Sequence, residues 1–223
     1  PLHAPTSFWA PAMNAGRTSF AKSALSLGLV AIIGTTLLSG VNRATAERIA
    51  QQERRVVLEQ LGQIIPPDRY DNALQDDLFT FTDETWFPQG QRVVAYRARR
   101  NGQPVAVILR FAAVDGYSGP IDLLAGIEAD GRLAGVRVIT HRETPGLGDA
   151  IEAGKSDWIR SFDGKSLGMP PAAEWGVRRD GGAFDQFTGA TITPRAVIKA
   201  VRLALEYHER HGDLLYSSEA TPQ

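Results

Sequence analysis

The chain has 223 residues, 43% of them hydrophobic, with a formal net charge of −1 and no cysteine. This length can bury one well-packed domain plus an anchor or tail, whereas two full-sized domains would be crowded. The mixed charges offer no long basic stripe to a nucleic-acid backbone, and the lack of cysteine excludes disulfides, thiolate-bound iron–sulfur clusters and c-type haem. Any redox chemistry therefore requires an organic cofactor.

Residues 23–42 form an uncharged run of 20 residues, SALSLGLVAIIGTTLLSGVN. A helix of this length spans about 30 Å, the thickness of a hydrocarbon core. The run predicts a single transmembrane helix over residues 23–42, preceded by a short segment at 1–22. A cleavable secretory signal is the alternative, because Ala44-Thr45-Ala46 resembles a cleavage site. Both interpretations place the rest of the chain across the membrane.

Orientation and the segment after the run are less simple. More basic residues lie after the run than before it, so the positive-inside rule alone favours a cytoplasmic location for the C-terminal side. Residues 43–66 are predicted to connect span and domain, with a helix over 44–62 that ends at Gly62 ahead of Pro66-Pro67. The basic residues are Arg17 and Lys22 before the run, and Arg43, Arg48, Arg54 and Arg55 after it.

The next segment is acidic and then strand-like. Residues 67–88 are predicted to form a solvated loop, since their scattered acids lack the ligand spacing of a calcium loop.

Two strand-like runs, RVVAYRA and PVAVILRFAAV, flank Asn101-Gly102, a pair that supplies the positive φ angles of a two-residue hairpin turn. IDLLAGIEA and LAGVRVITH flank Asp130-Gly131 and predict a second hairpin. The body is therefore expected to contain an antiparallel sheet.

The C-terminal third is predicted to end in a long helix. A short helix over 154–161 and one more strand over 175–179 are expected first. The last helix is expected over 194–211, with Thr193 as N-cap, Pro194 at the first helical position and Gly212 as its stop. The resulting fold is an α+β domain over residues 67–212, followed by a frayed tail at 213–223.

The segment before this helix, DQFTGATITP, carries the chemistry. It is a small loop that exposes hydroxyl groups and leads into a helix N-terminus, where unpaired amides and the macrodipole favour anions. Gly189 and Ala190 leave room for a bulky group to approach the backbone. From these residues alone, an ordinary turn before a capped helix is the favoured interpretation.

This segment resembles a known modification motif. Asp185, Thr188, Gly189, Ala190 and Thr191 match the Asp-x-x-Thr-Gly-Ala-Thr pattern of the FMN-binding domain family. That family includes the G subunit of the Rnf complex and the C subunit of the sodium-pumping NADH:quinone reductase. The resemblance implies that a flavin transferase moves FMN from FAD onto Thr191, where a phosphoester holds it. Thr191 lies two positions before Thr193, which is also assigned to the site.

Two further segments resemble the same family. His141 to Asp149, HRETPGLGD, matches the loop that lines the flavin ring, although it is also a plausible polar hairpin exit. Residues 115–121, DGYSGPI, include Tyr117 and match the start of the sheet in the Rnf branch. The loop residues assigned to the flavin by this resemblance are Glu143, Thr144, Pro145, Gly146, Leu147 and Gly148.

The resemblance implies a function and a location. The Rnf complex couples electron flow between reduced ferredoxin and NAD to ion movement, and its G subunit would carry covalent FMN as an electron carrier with no turnover of its own. Its N-terminus would lie in the cytoplasm and its FMN domain in the periplasm, tethered to the inner membrane beside the other subunits. The alternatives are the C subunit of the NADH:quinone reductase and a non-redox assembly module.

Other residues receive structural interpretations. His208 and His211 lie near the end of the last helix, where partly charged histidines suit the dipole. Arg97, Arg99 and Arg100 flank a hairpin turn and are expected to be solvated, with docking to a partner subunit as the alternative.

Overall fold

The apolar run lies in one long helix. The computed structural model describes residues 14–217, and helix α1 covers Asn14–Ile64. Among the described residues, one segment is long and apolar enough to cross a membrane: Ala24–Asn42, with a mean hydropathy of 2.0. It agrees with the predicted span, and a signal sequence would have the same length and composition. Residues 1–13 of the predicted N-terminal segment lie outside the described part.

The end of α1 differs from the sequence-based expectation. The helix does not stop at Gly62 but runs on to Ile64, two positions before Pro66, whose ring disfavours helical geometry in the preceding residue. A compact unit begins at Arg55, and Leu61 and Ile64 at the end of α1 are buried in it. Residues predicted to connect span and domain therefore contribute to the domain's core.

Five strands form an antiparallel meander in the order β1-β2-β3-β4-β5. Each strand pairs with its sequence neighbour, so every connection is local. The strands are β1 (Leu78–Phe81), β2 (Val93–Arg100), β3 (Gln103–Ala113), β4 (Ile121–Glu128) and β5 (Leu133–Thr140).

Both faces of the sheet are buried. Because neighbouring strand residues point to opposite faces, Leu123 and Ala125 belong to one apolar cluster while Leu124 belongs to another. The first cluster includes Val197 and Val201 of helix α2 (Ile192–Tyr216), and the second includes the end of α1. The predicted α+β class with an antiparallel sheet is confirmed, with helices packed on both faces.

Gly126 on β4 permits the close approach of α1. A Cβ at this position would lie 2.3 Å from Cγ2 of Ile64, far inside van der Waals contact. Glycine is therefore required by packing at this position, because Ile64 occupies the space that a side chain would need.

The first hairpin turn has the predicted geometry. Asn101 has a φ of 51° and Gly102 a φ of 73°, the left-handed pair of a two-residue turn. The second hairpin connects Glu128 to Leu133, and Gly131 has a φ of 85°. Both hairpins are confirmed.

Three local predictions were wrong. The region 67–88 contains strand β1, which pairs with β2, so it is not all loop. Residues 154–161 form no α-helix, and a short 3-10 turn at Trp158–Phe162 takes its place. The expected strand over 175–179 is reduced to one bridge between Val177 and Phe184, followed by the 3-10 turn Arg178–Asp180. Aromatic packing fixes this region, with ring contacts among Trp158, Phe162, Trp175, Phe184 and Phe187.

Helix α2 is longer at both ends than expected. It begins at Ile192 with Thr191 as N-cap and continues past Gly212 to Tyr216, with non-helical angles at His211. The last turn is not frayed, because Leu215 is fully buried. Residues 218–223 of the expected tail lie outside the described part of the chain.

Two arginines hold this C-terminal turn. Arg97 and Arg99 both donate to Asp77, at 2.5 and 2.8 Å. They also donate to the backbone carbonyls of Ser217 and Tyr216. The prediction that these two arginines are solvated was wrong, because β1 and the end of α2 lie against their strand; Arg100 is exposed.

Candidate functional site

Three loops meet at the N-terminus of α2. They are the turn before β4, the loop after β5 and the loop that leads into α2, and they correspond to the three segments that carry the family resemblance. Glu143, in the loop after β5, connects all three. The sheet supplies the first two loops from adjacent strands, and α2 brings the third beside them.

Glu143 is buried, with 4% of its surface exposed. Its Oε1 accepts a hydrogen bond of 2.9 Å from the amide of Ser118, and its Oε2 accepts one from Oγ1 of Thr193. A buried carboxylate is costly unless it is hydrogen-bonded, and charged hydrogen bonds are stronger than neutral ones. The contact with Thr193 spans 50 positions in sequence and fixes the helix against the loop.

Gly148 lies directly against this pair. A Cβ at Gly148 would be 2.8 Å from Oε2 of Glu143 and 2.9 Å from Oγ1 of Thr193. Gly146 is different, since it has open space around it but a φ of 78°. One glycine of the loop is thus required by packing and the other by backbone geometry.

The loop before α2 is fixed by aromatic and backbone contacts. The ring of Phe187 packs on Trp158 with centroids 5.1 Å apart, and Nε1 of Trp158 donates to the carbonyl of Asp185 at 2.7 Å. The amide of Ala190 donates to the carbonyl of Phe187 at 3.2 Å, which closes a tight turn around Gly189 with its φ of 80°. The turn presents Thr188 and Gly189 to solvent.

Thr191, and not Thr193, is the N-cap. The carbonyl of Thr191 accepts the amide of Arg195 at 3.4 Å, while its side chain makes no capping hydrogen bond and is partly exposed. Thr193 is fully buried and its hydroxyl is bound by Glu143, so it cannot cap the helix. Pro194 is accordingly the third helical residue and not the first. The amides of the first helical turn have no intrahelical acceptor, so the missing N–H of Pro194 removes no hydrogen bond from the helix.

The electrostatics favour a phosphate on Thr191. The first amides of α2, at Ile192 and Thr193, point out of the helix end without intrahelical partners. Two nearby cations are paired: Arg195 with Asp180 at 2.6 Å, and Arg178 with Asp185 at 3.1 Å. Arg195 holds the pKa of Asp180 below its ordinary value. The helix terminus is thus one local source of positive potential for a group on Thr191.

Exposed apolar side chains surround the same place. Leu147 and Ile192 are 44% and 47% exposed, and Tyr117 is 68% exposed. Cδ2 of Leu147 lies 3.6 Å from a Cβ built on Gly189, so the loop after β5 and the loop before α2 are neighbours. A planar ring system attached at Thr191 could pack on these exposed apolar side chains. The residues of the site therefore fit an FMN group.

The predicted site residues divide into two groups. Glu143, Gly148 and Thr193 are in direct contact, and Leu147 neighbours Gly189. The other predicted residues lie on these loops without contacting that group. The carbonyl of Thr144 accepts the amides of Leu147 and Gly148 within its own loop. The exposed residues are Pro145, Tyr117, Asp185 and Thr188.

Sequence reasoning missed several supporting residues. Ser118 gives its amide to Glu143, and the amide of Glu143 donates to Nδ1 of His141 at 3.0 Å. Trp158 and Phe187 anchor the loop before α2. Phe187 lies inside the motif and could have been noted as an apolar anchor, whereas the contact of Trp158 is not local in sequence.

Comparisons with known proteins identify the family of the chain. Residues 116–206 match the model of the FMN-binding domain, and residues 13–64 match that of the RnfG N-terminal region. The chain is 49% identical over 206 residues to the G subunit of the ion-translocating oxidoreductase complex of Pseudomonas aeruginosa, covering 92% of this chain and 96% of that protein. The corresponding protein of Shewanella piezotolerans is 43% identical, with 92% and 97% covered, and that of Vibrio cholerae 42%, with 90% and 95% covered. The chain therefore belongs to the family of G subunits of ion-translocating oxidoreductase complexes.

Proposed function

We propose that this chain is the electron-carrier subunit of an Rnf-type ion-translocating oxidoreductase complex and carries FMN joined through its phosphate to Oγ1 of Thr191. The observation that carries the proposal is the state of Thr191: it is the N-cap of α2, yet its hydroxyl makes no capping bond. The hydrogen bond between Thr193 and Glu143 fixes the start of α2 against the loop after β5, and this fixes the position of the Thr191 hydroxyl. The relatives and the FMN-binding domain match support the same assignment.

Attachment requires FAD and a flavin transferase. The Thr191 oxygen forms a bond to the phosphorus of the FMN half of FAD, the bond between the two phosphates breaks, and AMP leaves. The hydroxyl proton is released to the transferase or solvent. The exposed turn at Thr188 and Gly189 gives the transferase access to Thr191, because neither residue is covered by another segment.

The residues of the chain hold and orient the group. The amides of Ile192 and Thr193 at the start of α2 would hold its phosphate, and the exposed side chains of Leu147, Ile192 and Tyr117 would offer apolar surface to its ring system. When bound, FMN supplies reversible electron transfer, which no side chain of this cysteine-free chain provides. A covalent link keeps the cofactor from diffusing away on the outer side of the membrane.

The proposed location follows from the helix and the family. Residues 23–42 would cross the inner membrane once, with residues 1–22 in the cytoplasm and the FMN domain at 67–212 in the periplasm. A tether confines the carrier to the membrane plane and raises its effective concentration near integral partner subunits. Those partners would be the other subunits of the complex, which donate electrons to the flavin and receive them from it.

The experiment is co-expression of the chain with its flavin transferase, followed by denaturing electrophoresis under ultraviolet light. A fluorescent band is expected for the wild type and for Thr188→Ala, and none for Thr191→Ala. Thr188→Ala is the matched control because it removes a hydroxyl from the same exposed turn. Covalent fluorescence retained in Thr191→Ala would exclude the proposed attachment, and a dark wild-type band in the presence of active transferase would favour the non-redox assembly role.

A further inference from the structure

The imidazole of His141, directly after β5, makes a hydrogen bond at each of its two nitrogens. Nδ1 accepts the backbone amide of Glu143 at 3.0 Å, and Nε2 lies 2.9 Å from Oε1 of Glu152. The side chain is only 11% exposed, so both contacts are largely shielded from water. The ring thus joins the backbone of the loop after β5 to a carboxylate on the segment that follows that loop.

These two contacts define where the imidazole carries its proton. A backbone amide can only donate, so Nδ1 of His141 acts as an acceptor and carries no proton. The proton of the neutral ring is then on Nε2, which donates to the carboxylate of Glu152. A doubly protonated ring would direct Nδ1–H against the N–H of Glu143, where two donors meet without an acceptor. The geometry therefore requires the neutral Nε2–H tautomer.

The charge of Glu152 is balanced without a cationic His141. Nζ of Lys155 donates to Oε1 of Glu152 at 2.7 Å and to Oδ2 of Asp149 at 2.9 Å. The hydrogen bond from Lys155 is the largest cause that lowers the pKa of Glu152, and the hydrogen bond from His141 adds to it. Lys155 therefore supplies the positive charge of this group, and the histidine connects it to the Glu143 backbone as a neutral donor and acceptor.

We propose that His141 is a positioning residue for flavin attachment, which in its neutral Nε2–H tautomer fixes the backbone of Glu143 and thereby the start of α2 that bears Thr191. The carboxylate of Glu143 accepts both the Ser118 amide and the Thr193 hydroxyl, so a shift of its backbone displaces the acceptor of both donors. Supporting groups of this kind hold a reacting group within a fraction of an ångström of its productive position. This role rests on the proposed attachment of FMN to Thr191.

Two replacements separate the functions of the two ring nitrogens. His141→Asn places Oδ1 near the position of Nδ1, and asparagine readily accepts the amide two residues further on, but it is too short to reach Glu152. His141→Gln brings a side-chain amide donor to Glu152 and has no acceptor at the position of Nδ1. His211→Gln is the matched control, because it removes an imidazole that stacks on Tyr207, outside this network.

The first measurements use the full chain in detergent micelles without flavin. The wild-type spectrum of the imidazole nitrogens is expected to show an unprotonated Nδ1 and a protonated Nε2 for His141. Exchange of the Glu143 amide with deuterium should become about tenfold or more faster in His141→Gln and stay near the wild-type rate in His141→Asn and His211→Gln. Amides of β3 and β4 that stay protected show that a variant is folded.

The second measurement is the initial rate of covalent labelling by purified flavin transferase with FAD. It is expected to fall about tenfold in His141→Gln and to stay near the wild-type rate in His141→Asn. A protonated Nδ1 in the wild type, an unchanged Glu143 exchange rate in folded His141→Gln, or equal labelling of the two His141 variants would overturn the proposal. No labelling of the wild type by active transferase would instead refute the attachment to Thr191 itself.

Discussion

Glu143 is the residue on which the candidate site depends most. Glu143→Ala removes the acceptor of both the Ser118 amide and the Thr193 hydroxyl, and leaves the Thr193 hydroxyl buried without it. The expected loss in the free energy of unfolding is about 3 kcal/mol, measured by urea unfolding. Glu143→Gln keeps the shape and one acceptor oxygen and should lose about 1 kcal/mol.

The matched control is Glu174→Ala, since Glu174 is exposed and its carboxylate is not part of this network. It is expected to leave the unfolding midpoint unchanged. Equal stability of Glu143→Ala and Glu174→Ala would show that the buried carboxylate does not hold the loops together. Co-expression with the transferase should also give less covalent flavin in Glu143→Ala than in Glu143→Gln.

The two glycines of the loop after β5 should respond differently to alanine. Gly148→Ala forces a methyl group against Glu143 and Thr193 and is expected to cost about 2 kcal/mol as overpacking. Gly146→Ala meets no atoms but places alanine at a φ of 78°, at a cost of about 1 kcal/mol. The visible spectrum of flavin on Thr191 should shift more in Gly148→Ala, and the reverse order would contradict the packing account.

Some of these residue roles could be predicted from the sequence and others could not. The motif identified Thr191 and Thr193 as important, but residue type alone could not tell which one caps the helix, because threonine suits that position at either place. The answer depends on Glu143, which lies 50 positions away and binds the hydroxyl of Thr193. No local pattern contains that contact.

At the scale of elements, the packing of α1 on β4 gives a quantitative test. Gly126→Ala should cost about 3 kcal/mol, because its Cβ would overlap Cγ2 of Ile64. In an Ile64→Ala background the new methyl group keeps only ordinary contacts, with Ala134 and Ile108, and the same change should cost about 1 to 2 kcal/mol less. Urea unfolding of the single and double variants measures this coupling, and additive effects would show that the two residues do not touch.

Helix α2 should confer a pH dependence through His208. Burial lowers the pKa of His208 below its ordinary value of 6.5, and Nε2 lies 3.0 Å from the hydroxyl of Tyr216. The unfolded chain therefore binds a proton at a higher pH than the folded one. The contribution of His208 to the free energy of unfolding is complete above about pH 6.5 and is lost as the pH falls below that value. The unfolding midpoint of the wild type should fall more between pH 7.5 and 5.5 than that of His208→Gln. Parallel falls would assign the effect to other groups.

The elements that the sequence predicted well are those with local signals. Asn101-Gly102 fixes the first hairpin through its own backbone angles, and the apolar stripe with Pro194 marks α2. Strand β1 was missed because its four residues, Leu78–Phe81, lie among acids and are held by pairing with β2. The end of α2 was misjudged for a similar reason: Gly212 is a stop signal, but Arg97 and Arg99 hold the chain beyond it.

At the scale of the whole molecule, the fold explains how three distant segments form one site. A meander places the loop before β4 and the loop after β5 at the same end of neighbouring strands, and α2 packs on the sheet so that its N-terminus reaches them. The sequence could list the three segments, through their resemblance to the FMN-binding domain family, but not the buried carboxylate that connects them.

The central claim is that FMN is attached at Thr191, and at neither the exposed Thr188 nor the buried Thr193. The most direct test is tandem mass spectrometry of the tryptic peptide 180–195 from the chain co-expressed with its flavin transferase, since this peptide contains Thr188, Thr191 and Thr193. The account expects a mass increase equal to one FMN less one water, with every fragment placing it on Thr191. An unmodified peptide, or an adduct on Thr188 or on the buried Thr193, would contradict it.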